Sequence, residues 1–93
     1  MKAVFNGQVI AESDDLVEVE NNQYFPKDSL NQEFLTESDH TSFCGWKGTA
    51  SYWTVEVDGE TAPNSVWTYK EPMAGAEVVT DRVAFWKGVT VEA

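Results

Sequence analysis

Between Thr49 and Val57 apolar and polar side chains alternate so that Trp53, Val55 and Val57 fall on one side and Tyr52, Thr54 and Glu56 on the other. A period of two predicts a β-strand with chemically different faces. Asp58-Gly59 follows, a dipeptide that tolerates the positive backbone angles of a tight hairpin, and Ser65 to Tyr69 supplies the returning strand. The amino-terminal stretch repeats the arrangement: Ala3 to Phe5, then Asn6-Gly7, then Gln8 to Ala11. Leu16-Val17-Glu18-Val19-Glu20 alternates apolar and charged residues, and Asn21-Asn22 leads into Gln23 to Phe25, where Pro26 ends the run. Arg82 to Trp86 and Val89 to Val91 complete the strands.

Helix has little room in this pattern. Asp28 is placed to cap a short turn through Leu30, and Ala74 to Thr80 has space for one or two helical turns between Pro72, Gly75 and Gly88. The chain shows no internal repeat, low-complexity tract or linker, so residues 1–93 read as a single domain. The expected class is mostly β, a compact arrangement of antiparallel sheets folded on each other, with at most one or two short helical turns.

Composition sharpens this picture. With 42% hydrophobic and 13% aromatic residues, 93 residues suffice for one core, and surface scaling predicts roughly 5,400 Å² exposed after folding. Sixteen acidic residues against six basic ones give a net charge of −10, a field that repels phosphate backbones and anionic headgroups. Nucleic acid and membrane surfaces are therefore not expected as partners. MKAVFNGQVIAES is too polar and too short in its apolar stretch for a secretory signal, and a single cysteine forms no internal disulfide, which points to a cytoplasmic protein. One cysteine and one histidine also fall short of a structural zinc site.

Three stretches carry a further signal: YFP at 24–26, DHTSFCGWKGTASYW at 39–53 and NSVWTYKEP at 64–72, continued by VAFW at 83–86. Together they resemble a small bacterial family, the domain of unknown function 427, which also carries the label nucleotidyltransferase domain. The resemblance runs in order along nearly the whole chain. It implies a compact β-rich domain of the tent-like kind that also houses methionine sulfoxide reductase B and several zinc-binding modules, and it brings no established activity. Zinc-binding relatives of that fold use two Cys-x-x-Cys pairs, whereas this chain has Cys44 alone, so no structural zinc is carried over. Reductase chemistry at Cys44 would need a resolving thiol from another molecule.

Cys44 and His40 are four positions apart, with Lys47 three beyond. A cysteine attacks as its thiolate, which Lys47 or protonated His40 would favour, and Asp39 would orient His40 to complete a catalytic set. If residues 40–44 are extended, the two side chains stand roughly 13 Å apart, and only a turn brings them together. The competing reading makes Cys44 a small buried hydrophobe at the start of a core strand, and the flanking Phe43 and Trp46 favour it. Nucleotidyl transfer normally needs paired carboxylates for metal ions. Glu18 with Glu20, and Glu56 with Asp58, have that spacing, but the solvated face of an acidic strand produces it too. Gly45-Trp46-Lys47-Gly48 lacks the Walker spacing.

The aromatic residues form the larger signal. Trp46, Tyr52, Trp53, Trp67, Tyr69 and Trp86 exceed the ordinary needs of so small a core, and tyrosine and tryptophan suit half-wet pockets. The expected site is a small-molecule pocket, with nucleotides among the candidate ligands, near Cys44 and Lys47 and walled by Trp46, Tyr52, Trp67 and Tyr69. Whether it supports catalysis is left open. The alternative is a non-enzymatic interaction module, with a homodimer built on exposed aromatics. A concave pocket with Lys47 pointing inward favours the first reading and a flat apolar patch the second.

Overall fold

A computed structural model describes all of residues 1–93. Nine strands form: β1 (Lys2–Phe5), β2 (Gln8–Glu12), β3 (Val17–Val19), β4 (Asn22–Pro26), β5 (Leu35–Cys44), β6 (Gly48–Val57), β7 (Glu60–Tyr69), β8 (Arg82–Phe85) and β9 (Thr90–Glu92). All pairings are antiparallel. One sheet has the order β2-β1-β9 and the other the order β3-β4-β8-β7-β6-β5. The accessible surface is 5234 Å², close to the value expected from chain length. No helix is long and apolar enough to cross a membrane.

The hairpins follow the dipeptides. Asn6-Gly7 and Asp58-Gly59 both adopt positive φ at each position, 51° and 76° in the first and 51° and 82° in the second, and reverse the chain between β1 and β2 and between β6 and β7. A third tight hairpin sits one residue earlier than the asparagine pair suggests. Val19 pairs with Asn22, so Glu20 (φ 53°) and Asn21 (φ 66°) are the turn residues.

The predicted faces of β6 also form. Trp53, Val55 and Val57 pack between the two sheets with Ala3, Ile10 and Ala11 from the small sheet and Phe25, Val66, Val83 and Phe85 from the large one. Phe25 and Phe85 meet edge to face at 5.3 Å. The opposite face of the large sheet is not wet. Tyr24, Ala50, Tyr52, Trp67, Tyr69, Val79 and Ala84 make a second cluster there, with Cys44, Val17 and Val19 packed against it. Burial on both faces makes Ser65 to Tyr69 continuously buried, the pattern of a central strand covered on both sides.

Several expectations change. The longest omission is β5, ten residues that are exposed at most positions. As an edge strand it is held through backbone bonds to β6 alone, so it needs no apolar alternation to form. Cys44 consequently ends an edge strand instead of starting a core one. The strand expected from Ser65 begins at Glu60 and passes Pro63, which is tolerated because β8 pairs only with Val66 to Thr68, beyond it. The turn near Asp28 forms as a 3₁₀ turn, Lys27–Ser29, but its N-cap position is Pro26 and no side chain caps it. Ala74 to Thr80 yields one 3₁₀ turn, Glu77–Val79, because Gly75 at φ 94° leaves the right-handed path just before it.

Candidate functional site

The aromatic face of the large sheet is laid out by register. Tyr52 on β6 lies opposite Trp67 on β7, Trp67 lies opposite Ala84 on β8, and Tyr69 lies opposite Ala50. Each large ring beside an alanine has room to tilt over its neighbour. Trp86 follows β8 and completes the wall, 5.5 Å from Trp67 and 6.4 Å from Tyr52. Asn22 enters from the start of β4, and Lys47 from the turn joining β5 to β6. Together Asn22, Lys47, Tyr52, Trp67, Tyr69 and Trp86 line a cleft of about 240 Å³.

The polar ends of Tyr52, Trp67 and Trp86 are already engaged. The Trp67 indole N–H donates to the Tyr24 hydroxyl at 3.2 Å in a buried position. Tyr52 shares a hydrogen bond of 2.8 Å with the Ser42 hydroxyl. The Trp86 indole N–H donates to the Asn64 carbonyl at 2.6 Å, and Trp86 also donates its backbone N–H to Ser65 at 3.0 Å. Asn64 offers that carbonyl because a bulge in the β6–β7 ladder places it in the left-handed region at φ 54°. Bulges re-aim groups beside the ladder they interrupt, and here the result is a fixed tryptophan. These three rings therefore present their faces to the cleft with their polar ends tied off behind.

Lys47 is the one charged residue lining the cleft, and it is only 5% exposed. Its ammonium lies 5.3 Å from the centres of the Trp46 and Tyr69 rings and 6.0 Å from that of Tyr24, and it forms an ion pair with Glu20. Burial, the largest single influence, disfavours the charged ammonium. The Glu20 hydrogen bond and the phenol groups of Tyr24 and Tyr69 together outweigh it and raise the lysine above its ordinary range. The same hydrogen bond from Lys47 holds the Glu20 carboxyl below its ordinary value. Tyr69 moves up, chiefly because burial disfavours its phenolate, with Lys47 pulling the other way.

Four of the five residues expected to contact a ligand, Lys47, Tyr52, Trp67 and Tyr69, meet in this cleft, while Trp46 stands on the outer side of Lys47 with part of its ring in solvent. Cys44 packs half-buried against the aromatic cluster without lining the opening. The structure does not bring Asp39, His40 and Cys44 together. All three lie on β5, whose extended rise keeps residues 40 and 44 roughly 13 Å apart. His40 instead rests its ring on Tyr52 at 4.7 Å. No cluster of three or more His, Cys, Asp or Glu side chains forms anywhere in the chain. Neither pair of alternating acids lines the cleft: Glu18 accepts from Gln23, Glu20 sits at a hairpin tip, Glu56 is exposed and Asp58 is a turn residue.

Residues 1–93 match the family described as a domain of unknown function, DUF427. The chain belongs to that family. No curated protein matches it. Within this DUF427 domain the residues beyond those expected are Asn22, Tyr24 and Trp86, while Glu20, weighed above only as one of a carboxylate pair, is the partner of Lys47. Only Trp86 had a legible signal, since alternation from Ala84 puts it on the Trp67-facing side of the sheet. A larger hollow, about 310 Å³ between Phe43 and Met73, has no buried charge and no aromatic wall beyond Phe43 itself.

Proposed function

We propose that this DUF427 domain binds a small planar molecule in the cleft between Trp86, Trp67, Tyr52 and Tyr69, with Lys47 and Asn22 as its polar contacts. The observation that carries this reading is the combination of a concave opening, four ring walls of which three have their polar ends satisfied elsewhere, and one buried cation. Ring faces fixed in advance lose little entropy when a flat ligand stacks on them. The cleft, at about 240 Å³, is smaller than the roughly 300–1,000 Å³ typical of drug-sized ligands, so one or two fused rings fit. Catalysis is no part of this proposal, and Cys44 has a packing role in it.

A thermal-shift screen of small ring compounds tests the reading. A ligand at about 100 times its dissociation constant stabilises the native state by about 2.7 kcal/mol, which raises the melting temperature by roughly 10–20 °C in a domain of this size. The shift should shrink in Trp86→Leu, a change to a residue 42% exposed that leaves the core intact. A second reading, self-association, is favoured by Phe43, 72% exposed beside Met73 at the free edge of the large sheet. If no compound shifts the transition and Phe43→Ser converts a dimer to a monomer, the cleft reading fails and that one stands.

A further inference from the structure

The Lys47–Glu20 pair is lopsided. The cation is buried and held on three sides by rings, whereas the carboxylate belongs to the tip of a two-residue hairpin and its side chain is 55% exposed. Apart from Lys47, the Glu20 carboxylate meets the Trp46 side chain, itself 42% exposed. When Glu20 swings out it regains water at little cost, while Lys47 stays in place and needs another anion, since a buried charge without a partner is strongly disfavoured. Charge around the cleft agrees. The chain has only six basic residues, yet two of them are here: Lys47 in the lining, and Lys87 with its ammonium 4.5 Å from the Trp86 ring centre. No acidic residue lines the opening, on a molecule with sixteen of them.

We infer that the ligand is a planar ring bearing a carboxylate or comparable small anionic group, and that Glu20 occupies the place of that group on Lys47 until the ligand arrives. The inference rests on the cleft being a ligand site. It makes Glu20 a competitor that tunes the affinity for anionic rings alone, since a neutral ring stacks in the cleft without replacing it on the ammonium. A site whose competent form is open only a fraction of the time loses affinity by that fraction. If Glu20 is closed on Lys47 about 90% of the time, removing its charge strengthens binding of an anionic ring about tenfold and leaves a neutral one unchanged.

The experiment compares matched pairs by isothermal titration calorimetry: benzoate with benzamide, nicotinate with nicotinamide, and indole-3-carboxylate with indole-3-carboxamide. They are titrated against the native chain, Glu20→Gln and Lys47→Met. The expected result is that a carboxylate binds the native chain at least tenfold more tightly than its amide, that Glu20→Gln tightens the carboxylate alone, and that Lys47→Met abolishes the difference. If carboxylate and amide bind alike and Glu20→Gln alters neither, the inference falls and the cleft remains a binding site. If Glu20→Gln weakens carboxylate binding, Glu20 belongs to the site as a contact and the competition is refuted. If none of the six compounds binds any form, both the inference and the cleft reading fail. Should Glu20→Gln not fold, Glu20→Asp takes its place: its shorter side chain reaches Lys47 less well, and the same tightening, smaller in size, is expected.

Discussion

Tyr24→Phe isolates one hydrogen bond behind the cleft wall. Tyr24 is fully buried, its ring meets Trp67 edge to face at 6.3 Å, and its hydroxyl accepts the Trp67 indole N–H. Phenylalanine keeps the ring and removes only the oxygen, so the cavity term is small. The orphaned N–H loses its acceptor in a region closed to water, and the combined loss comes to about 2 kcal/mol. A domain of this length is stable by roughly 5–14 kcal/mol, so the variant still folds. With a urea slope of about 1–1.5 kcal/mol/M, the midpoint of unfolding falls by about 1.5 M, and the slope itself stays the same. The change is far smaller in a Trp67→Phe background, because no donor is left to orphan and the unpaired hydroxyl of Tyr24 is itself a burden there. A loss below about 0.5 kcal/mol in the native background would refute the reasoning: the indole N–H would then have water to turn to, and the rear of the cleft would be wet.

Other outcomes follow from the same geometry. Glu20, held below its ordinary value of 4.5, adds stability that is complete above that pH and is lost as pH falls through its lowered native value; acid unfolding curves of Glu20→Gln should lack that component. Lys47 and Tyr69 are both raised in the native state, so their contributions are complete below the unfolded values of 10.5 and 10.0 and fade as pH climbs beyond them. Alkaline titration of the melting temperature should therefore fall less steeply in Lys47→Met. Cys44, half-buried on an edge strand and distant from His40, should be alkylated slowly by iodoacetamide in the native state and quickly in denaturant, and His40→Asn should leave the native rate as it was. Ser65 is buried with no partner for its hydroxyl, so Ser65→Ala should be neutral or stabilising by up to about 1 kcal/mol in chemical denaturation, and a loss of more than that amount would mean the hydroxyl has a partner in solution.

Much of the fold is a local property of this sequence. Asn6-Gly7 and Asp58-Gly59 accept left-handed backbone wherever they occur, and the alternation through Trp53, Val55 and Val57 marks one face whatever lies across from it. Those features place the hairpins and the inter-sheet core without reference to distant residues. The family, too, was legible in the order of its aromatic stretches. β5 was not, because an edge strand is stabilised by its neighbour's backbone and leaves no pattern in its own side chains.

The cleft belongs to the other category. Lys47, Tyr52, Trp67 and Tyr69 carry the right chemistry on sight, but their meeting depends on the strand order β3-β4-β8-β7-β6-β5, which brings residues 22 and 86 beside residue 47. Register settles that Trp53 faces the small sheet while Tyr52 faces the cleft. Glu20 finds Lys47 only because a hairpin tip and a distant turn converge, 27 positions apart along the chain. His40 and Cys44 show the same dependence in reverse: four residues of extended strand hold apart what a single turn would have joined. Local backbone preferences are written residue by residue, whereas a site is a set of long-range contacts, and those exist only after the sheets have chosen their partners.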